Sequence, residues 1–226
     1  MTPSLSALAT PAILVDQPQL EANLRRMQGL CDATGVELRP HMKTHKMVAV
    51  AQRQLELGAK GLTCAKIGEA EAMLPSGVQE IFLAHSLVDP GQAPRLAALA
   101  DRLRDLRVAV TSEAHLAALA ALARATGRRL GAMLAVDSGL GREGVRSLDS
   151  ALRLAARLAR EPHLELRGLY CHEGHFYGLP PAGVPPAVEQ MLDHLDRVRR
   201  ALDPALAVWP GCSVWSVKQK HSTLLK

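Results

Sequence analysis

The feature that most constrains this 226-residue chain is a regular alternation of short β-like segments with amphipathic helical ones. Strands joined through helices can pair only in parallel, with the helices laid over a sheet face. Apolar β-like runs fall at 12–16, 36–39, 61–64, 81–84, 106–110, 131–136 and 164–171, with a further one at 206–209. Helical periodicity fills the intervals: 18–34, where Leu20, Leu24, Met27 and Leu30 form a stripe, then 46–57, 67–74, 92–104, 112–126, 147–160 and 184–202. This order predicts a (β/α)8 barrel of the TIM type, incomplete at its C-terminal end, in preference to a doubly wound open sheet. Past residue 210 the patterning fades, and Lys218, Lys220 and Lys226 crowd the last nine positions.

Composition excludes several classes. With only two each of Phe, Trp and Tyr, the chain lacks the aromatic faces of a nucleic-acid stacking platform. Its net charge of +5 is spread along helices among acids, as in Asp101-Arg102-Leu103-Arg104-Asp105, which reads as a solvated surface. Cys31, Cys64, Cys171 and Cys212 show no paired spacing, and no apolar run approaches the ~20 residues that span a membrane. The expectation is a cytoplasmic protein that binds neither nucleic acid nor membrane.

Three segments carry chemistry. Residues 39–46 read Arg-Pro-His-Met-Lys-Thr-His-Lys, and strand parity puts Arg39, His41 and Lys43 on one face and Leu38, Pro40 and Met42 on the other. The first face would project basic groups from the carboxyl end of a strand, where barrels keep their sites. An amine is a nucleophile only when neutral, and Arg39, Lys46 and protonated His41 or His45 would disfavour charge on Lys43 and attract a phosphate-bearing aldehyde. Spacing alone leaves Lys43 and Lys46 open as solvated loop cations.

The second segment, 135–145, contains Gly139-x-Gly141-x-x-Gly144, letter for letter a dinucleotide fingerprint, with Glu161 or Glu165 in place as the ribose-binding acid. On that reading the protein is a nicotinamide-dependent oxidoreductase. The third, 168–177, puts Tyr170 and His172 on one strand face and Cys171 in packing on the other. His172 and His175 lack the spacing of a metal-ligand set.

The lysine octapeptide, the opening Thr10-Pro11-Ala12 with Asp16, and the run from Gly61 to Glu71 together resemble the D-threonine aldolase and D-serine dehydratase family. These are alanine-racemase-like pyridoxal 5′-phosphate enzymes, and the likeness covers about residues 10–178. Residues 137–145 also resemble that family's Asp-x-Gly-x-x-Arg-x-Gly-Val stretch, through Asp137, Gly139, Arg142, Gly144 and Val145.

The resemblance implies that Lys43 holds the cofactor covalently and that Arg142 lies beside the cofactor's phenolic oxygen. It implies that His41, Tyr170 and His172 line the pocket, with His175 as an acid–base candidate. It implies a strand in 1–16 that pairs with a C-terminal β-domain missing here, a barrel over 17–209 that begins with the lysine strand, and an atypical tail at 210–226. The family's divalent metal, Mn or Zn, is held by C-terminal residues that are missing, as is its phosphate loop, for which 210–216 is a poor substitute. The implied activity is a lyase acting on D-configured β-hydroxy amino acids, by aldol cleavage or dehydration, in a homodimer. An amino-acid racemase and a cofactor-binding fragment without turnover are the alternatives.

Overall fold

A computed structural model describes residues 7–202 and the backbone of 213–216. Helices α1 (Gln17–Thr34), α2 (Val48–Glu56), α3 (Ile67–Met73), α4 (Ala93–Arg102), α5 (Glu113–Thr126), α6 (Leu148–Leu158) and α7 (Val184–Leu202) alternate with the strands. The strands are β1 (Leu62–Cys64), β2 (Glu80–Leu83), β3 (Asp105–Val110), β4 (Leu130–Ala135), β5 (Leu164–Cys171) and β6 (Ser213–Ser216). All six lie in one parallel sheet in chain order. The sheet is not closed among the described residues, which is the incomplete barrel expected from the sequence. Every expected helix is present to within two residues.

Two of the expected strands do not form. Residues 12–16 have no strand partner among the described residues, Ile13, Leu14 and Val15 are exposed, and Asp16 accepts the Gln19 amide at 2.9 Å as the cap of α1. The 36–39 segment does run beside β1, with Lys60 N–H donating to Leu38 O and Thr63 N–H to Pro40 O. Proline has no N–H to return, so the ladder breaks and only a bridge between His41 and Thr63 survives. The 206–209 segment lies outside the described residues, and the sixth strand of the sheet is at Ser213–Ser216.

Strands β2 to β5 bury both faces, but against different layers. Ile81 and Leu83, Leu106, Val108 and Val110, and Leu130, Ala132 and Leu134 join the helices in the main core. The alternate residues Phe82, Ala84, Ala109, Met133, Ala135 and Tyr170 form a smaller cluster on the face that a barrel encloses. In β5 the outward set changes parity, from Leu164 and Leu166 to Leu169 and Cys171. A bulge causes this: Ala132 faces Leu166 while Met133 faces Gly168, leaving Arg167 as the extra residue. Without it Tyr170 would point at the helices; with it, Tyr170 turns inward.

Candidate active site

Lys43, His41, Arg142, Tyr170 and His172 all lie at the carboxyl ends of the strands. The Met42 amide donates to Thr63 O at 2.8 Å, tying the lysine segment to β1, and the Lys46 amide closes a turn on Met42 O at 2.9 Å. Lys43 is exposed within that turn. Its own amide donates to Nδ1 of His41 at 3.2 Å, so in the neutral ring the proton sits on Nε2. His41 is buried, and burial first, then the charge of Lys43, brings its pKa down to about 4 despite the opposing Glu69. His85 and His172 act on His41 in the same sense as Lys43, so the lysine turn and the end of β5 share this imidazole as a neighbour.

A cavity opens between the ends of β4 and β5, with Asp137, Arg142, Glu143, Tyr170 and His172 in its lining. Tyr170 stands edge-on to Phe82, ring centroids 5.0 Å apart. Burial pushes its phenol far above the ordinary range; Glu143 adds to the shift and Arg142 opposes it. Tyr170 is therefore a proton donor at neutral pH. Below it the inward rows end in small residues: Ala109 pairs with Met133, Met133 with Gly168, and Ala135 with Tyr170. His175 lies outside this lining. Its ring packs on the loop after β4, with Nε2 3.1 Å from where a Cβ on Gly139 would stand, and its Nδ1 is buried with no hydrogen-bond partner among the described residues.

The loop after β4 is built around Asp137. One carboxylate oxygen accepts the amides of Gly139 and Gly141, each at 3.0 Å, and the other accepts Arg146 Nε at 2.9 Å. Although burial pushes its pKa up, the two amides and Arg146 hold Asp137 below the usual carboxylate range. This rules against the dinucleotide reading. The glycine amides that would cradle a pyrophosphate are taken by a carboxylate, and α6 opens later, capped by Ser147 and Ser150. Glu165 and Glu161 pair with Arg129 and Arg124 instead.

Gly144 closes the loop at φ +96°, and a Cβ there would stand 2.9 Å from Ala135 O and Asp137 N. Gly144→Ala is expected to cost about 3 kcal/mol from strain and overlap together. The urea midpoint measures it, and an unchanged midpoint would refute the close approach.

The positive charge expected around Lys43 is largely absent. Arg39 pairs with Glu80 at 2.9 Å and with Glu37, at the opposite end of the strands. Lys46 pairs with Glu69 at 2.7 Å, and burial lowers the pKa of both His41 and His45. Sequence reasoning also passed over Glu143, which pairs with Arg142, and Glu173, which is 5% exposed beside the Tyr170 and Tyr177 phenols and raises the pKa of each. Nothing in a lone acid's spacing marks such positions.

A parallel barrel sheet that gathers a lysine turn, a buried neutral imidazole and an arginine–tyrosine cavity at its carboxyl edge defines a class of lysine-bearing barrel domains. The chain belongs to the family described as alanine racemase, N-terminal domain, whose profile matches residues 15–214. It is 37% identical over 172 residues to a D-threonine aldolase of Arthrobacter sp, covering 75% of this chain and 45% of that protein. It is also 37% identical over 180 residues to a D-threo-3-hydroxyaspartate dehydratase of Delftia sp. (strain HT23), covering 79% and 47%. Among solved structures, the D-threonine aldolase from Filomicrobium marinum superposes with a TM-score of 0.82 at 30% identity, over 92% of this chain and 55% of that one. The chain thus spans about half the length of the relatives it matches.

Proposed function

We propose that the chain is the cofactor-binding part of a pyridoxal 5′-phosphate-dependent lyase acting on D-configured β-hydroxy amino acids. The observation that carries this reading is His41, a buried imidazole that accepts the Lys43 amide at 3.2 Å and whose pKa is lowered by burial and by the charges of Lys43 and of His172, a residue of the cavity that Tyr170 and Arg142 also line. The residues fit the group. Ala84, Ala109 and Ala135 keep the enclosed face beside Tyr170 short and apolar. Lys43 would hold the aldehyde carbon, Arg142 would face the phenolic oxygen, and Tyr170 and His172 would form the wall. When bound, the cofactor's pyridine ring takes up the negative charge left as a bond to the substrate's α-carbon breaks.

The protein's residues supply orientation and protons. Tyr170, protonated at neutral pH, would donate a hydrogen bond to a ligand in the cavity, and His41 keeps the base of the Lys43 turn uncharged. His175 is placed in this reading as the acid–base group on the substrate side. The same reading gives residues 12–16 as the strand that pairs with a C-terminal β-domain, and includes a homodimer. No group of three or more His, Cys, Asp or Glu side chains among the described residues is placed to hold a metal ion, so no step is assigned here to a metal.

Incubation with pyridoxal 5′-phosphate followed by borohydride is expected to fix the cofactor on the peptide that contains Lys43. Fixation elsewhere removes the reading. With D-threonine or D-serine and added manganese or zinc, glycine plus an aldehyde marks cleavage, ammonia plus a keto acid marks dehydration, and loss of optical rotation marks racemisation.

A further inference from the structure

We infer that Glu69 and Lys46 form a latch that fixes the turn carrying Lys43, which makes them positioning residues for that amine. The inference rests on the reading of Lys43 given above. Lys46 has φ +50°, the left-handed region where glycine is the default and a residue with a Cβ is strained. Something must hold it there. Its amide closes the turn on Met42 O, and its ammonium reaches Glu69 Oε1 at 2.7 Å.

The other oxygen of Glu69 accepts the Ala65 amide at 2.8 Å, in the segment between β1 and α3. Glu69 is only 9% exposed. Although burial pushes its pKa up, Lys46 and the Ala65 amide bring it below the usual carboxylate range. One carboxylate thus joins the lysine turn to the start of α3. A cleft lined by Met42, Lys46, Lys66, Gly68, Glu69 and Met73 lies behind the turn. The hydrogen bonds of Lys43 and Thr44 to His41 act within the segment, whereas the ion pair ties the turn to α3 and resists its outward movement as a unit. Glu69 also acts on His41, opposing the charge of Lys43, so its loss alters both the position and the surroundings of the amine.

The test compares Glu69→Ala, Glu69→Gln and Lys46→Arg with the unaltered protein. Two readouts need no cofactor: hydrogen exchange at the Lys46 amide, and the pH profile of reductive methylation at Lys43 relative to exposed Lys60. In Glu69→Ala, exchange at Lys46 should rise about tenfold and the Lys43 profile should move while that of Lys60 stays. Lys46→Arg should keep the original values. Glu69→Gln keeps an acceptor for the Ala65 amide and loses the charge, so it should show the same changes to a smaller degree.

In the unaltered protein 1 M salt should also raise exchange at Lys46, because the ammonium is 61% exposed and open to screening. If Glu69→Ala fails to fold, Glu69→Gln and the salt series decide. Unchanged exchange and an unchanged Lys43 profile in a folded Glu69 variant overturn the latch. Failure of pyridoxal 5′-phosphate to attach to the unaltered protein would instead remove the proposed function and leave these readouts valid.

Discussion

Lys43→Ala should reduce covalent capture of pyridoxal 5′-phosphate to the background set by the other lysines. The chain has seven lysines, of which Lys43, Lys46, Lys60 and Lys66 fall among the described residues. Lys46 is paired with Glu69, and Lys60 and Lys66 are exposed on the surface. Among the lysines of the described residues, Lys43 is the one whose charge acts on His41, together with that of His172 from the cavity lining. Because its side chain is exposed, alanine should leave stability within about 0.5 kcal/mol of the original. Loss of capture would then report the missing amine rather than a damaged fold. Lys43→Arg keeps a positive charge in the same turn but cannot condense with an aldehyde, and it should fail equally; Lys60→Ala should be silent. A Lys43→Ala protein that still fixes the cofactor under borohydride would end the assignment.

The sheet was legible where both its faces are buried by the chain's own residues. β2 to β5 fall within a residue of the apolar runs, because alternation along Ile81-Phe82-Leu83 or Leu130 to Ala135 reflects two distinct layers. At 12–16 no strand pairing is present among the described residues, since a strand needs a partner and apolar composition alone does not provide one. The lysine segment shows a subtler limit. Parity grouped Arg39 with His41 and Lys43 as if the segment were a strand throughout, but residues 42–45 form a turn, and parity names a face and not an end. Arg39 finds Glu80 at the start of β2, while the chain turns at 42–45 and carries Lys43 past the carboxyl end. The bulge at Arg167 had a signal that went unused, in the switch of the apolar set from even to odd positions. Asp137 had none, because a side chain that binds its own loop's amides is visible only once the loop has a shape.

Stability is expected to fall steeply as the pH drops from about 6.5 towards 5, before any carboxylate matters. His41 and His115 are each about 2% exposed, and burial lowers each pKa from 6.5 to about 4. Around His41 the charges of Lys43, His85 and His172 act in the same direction and Glu69 opposes; around His115 only Glu143 opposes. His115 Nε2 accepts the Leu87 amide at 2.9 Å and Nδ1 lies 3.5 Å from the Thr111 hydroxyl, pinning the loop after β2 to the loop after β3. Protonation would set one donor against another. A folded pKa below the unfolded value means the stabilisation is complete above pH 6.5 and is lost as pH falls through 6.5 to 4, on the order of 3 kcal/mol for each histidine. Burial lowers His45 and His194 as well, which adds to the same slope. Glu80 and Asp137, whose pKa values are lowered from 4.5 and 3.8, give way only below about pH 4.5. Urea unfolding between pH 6.5 and 5 should therefore show a slope to which His41 and His115 alone contribute up to about 2.7 kcal/mol per pH unit, two protons' worth. His115→Gln, whose amide oxygen can still accept from Leu87 but does not titrate, should lower it by one proton's worth. A flat profile over that interval, or a slope that His115→Gln leaves unchanged, would show that these imidazoles are not held neutral by the fold.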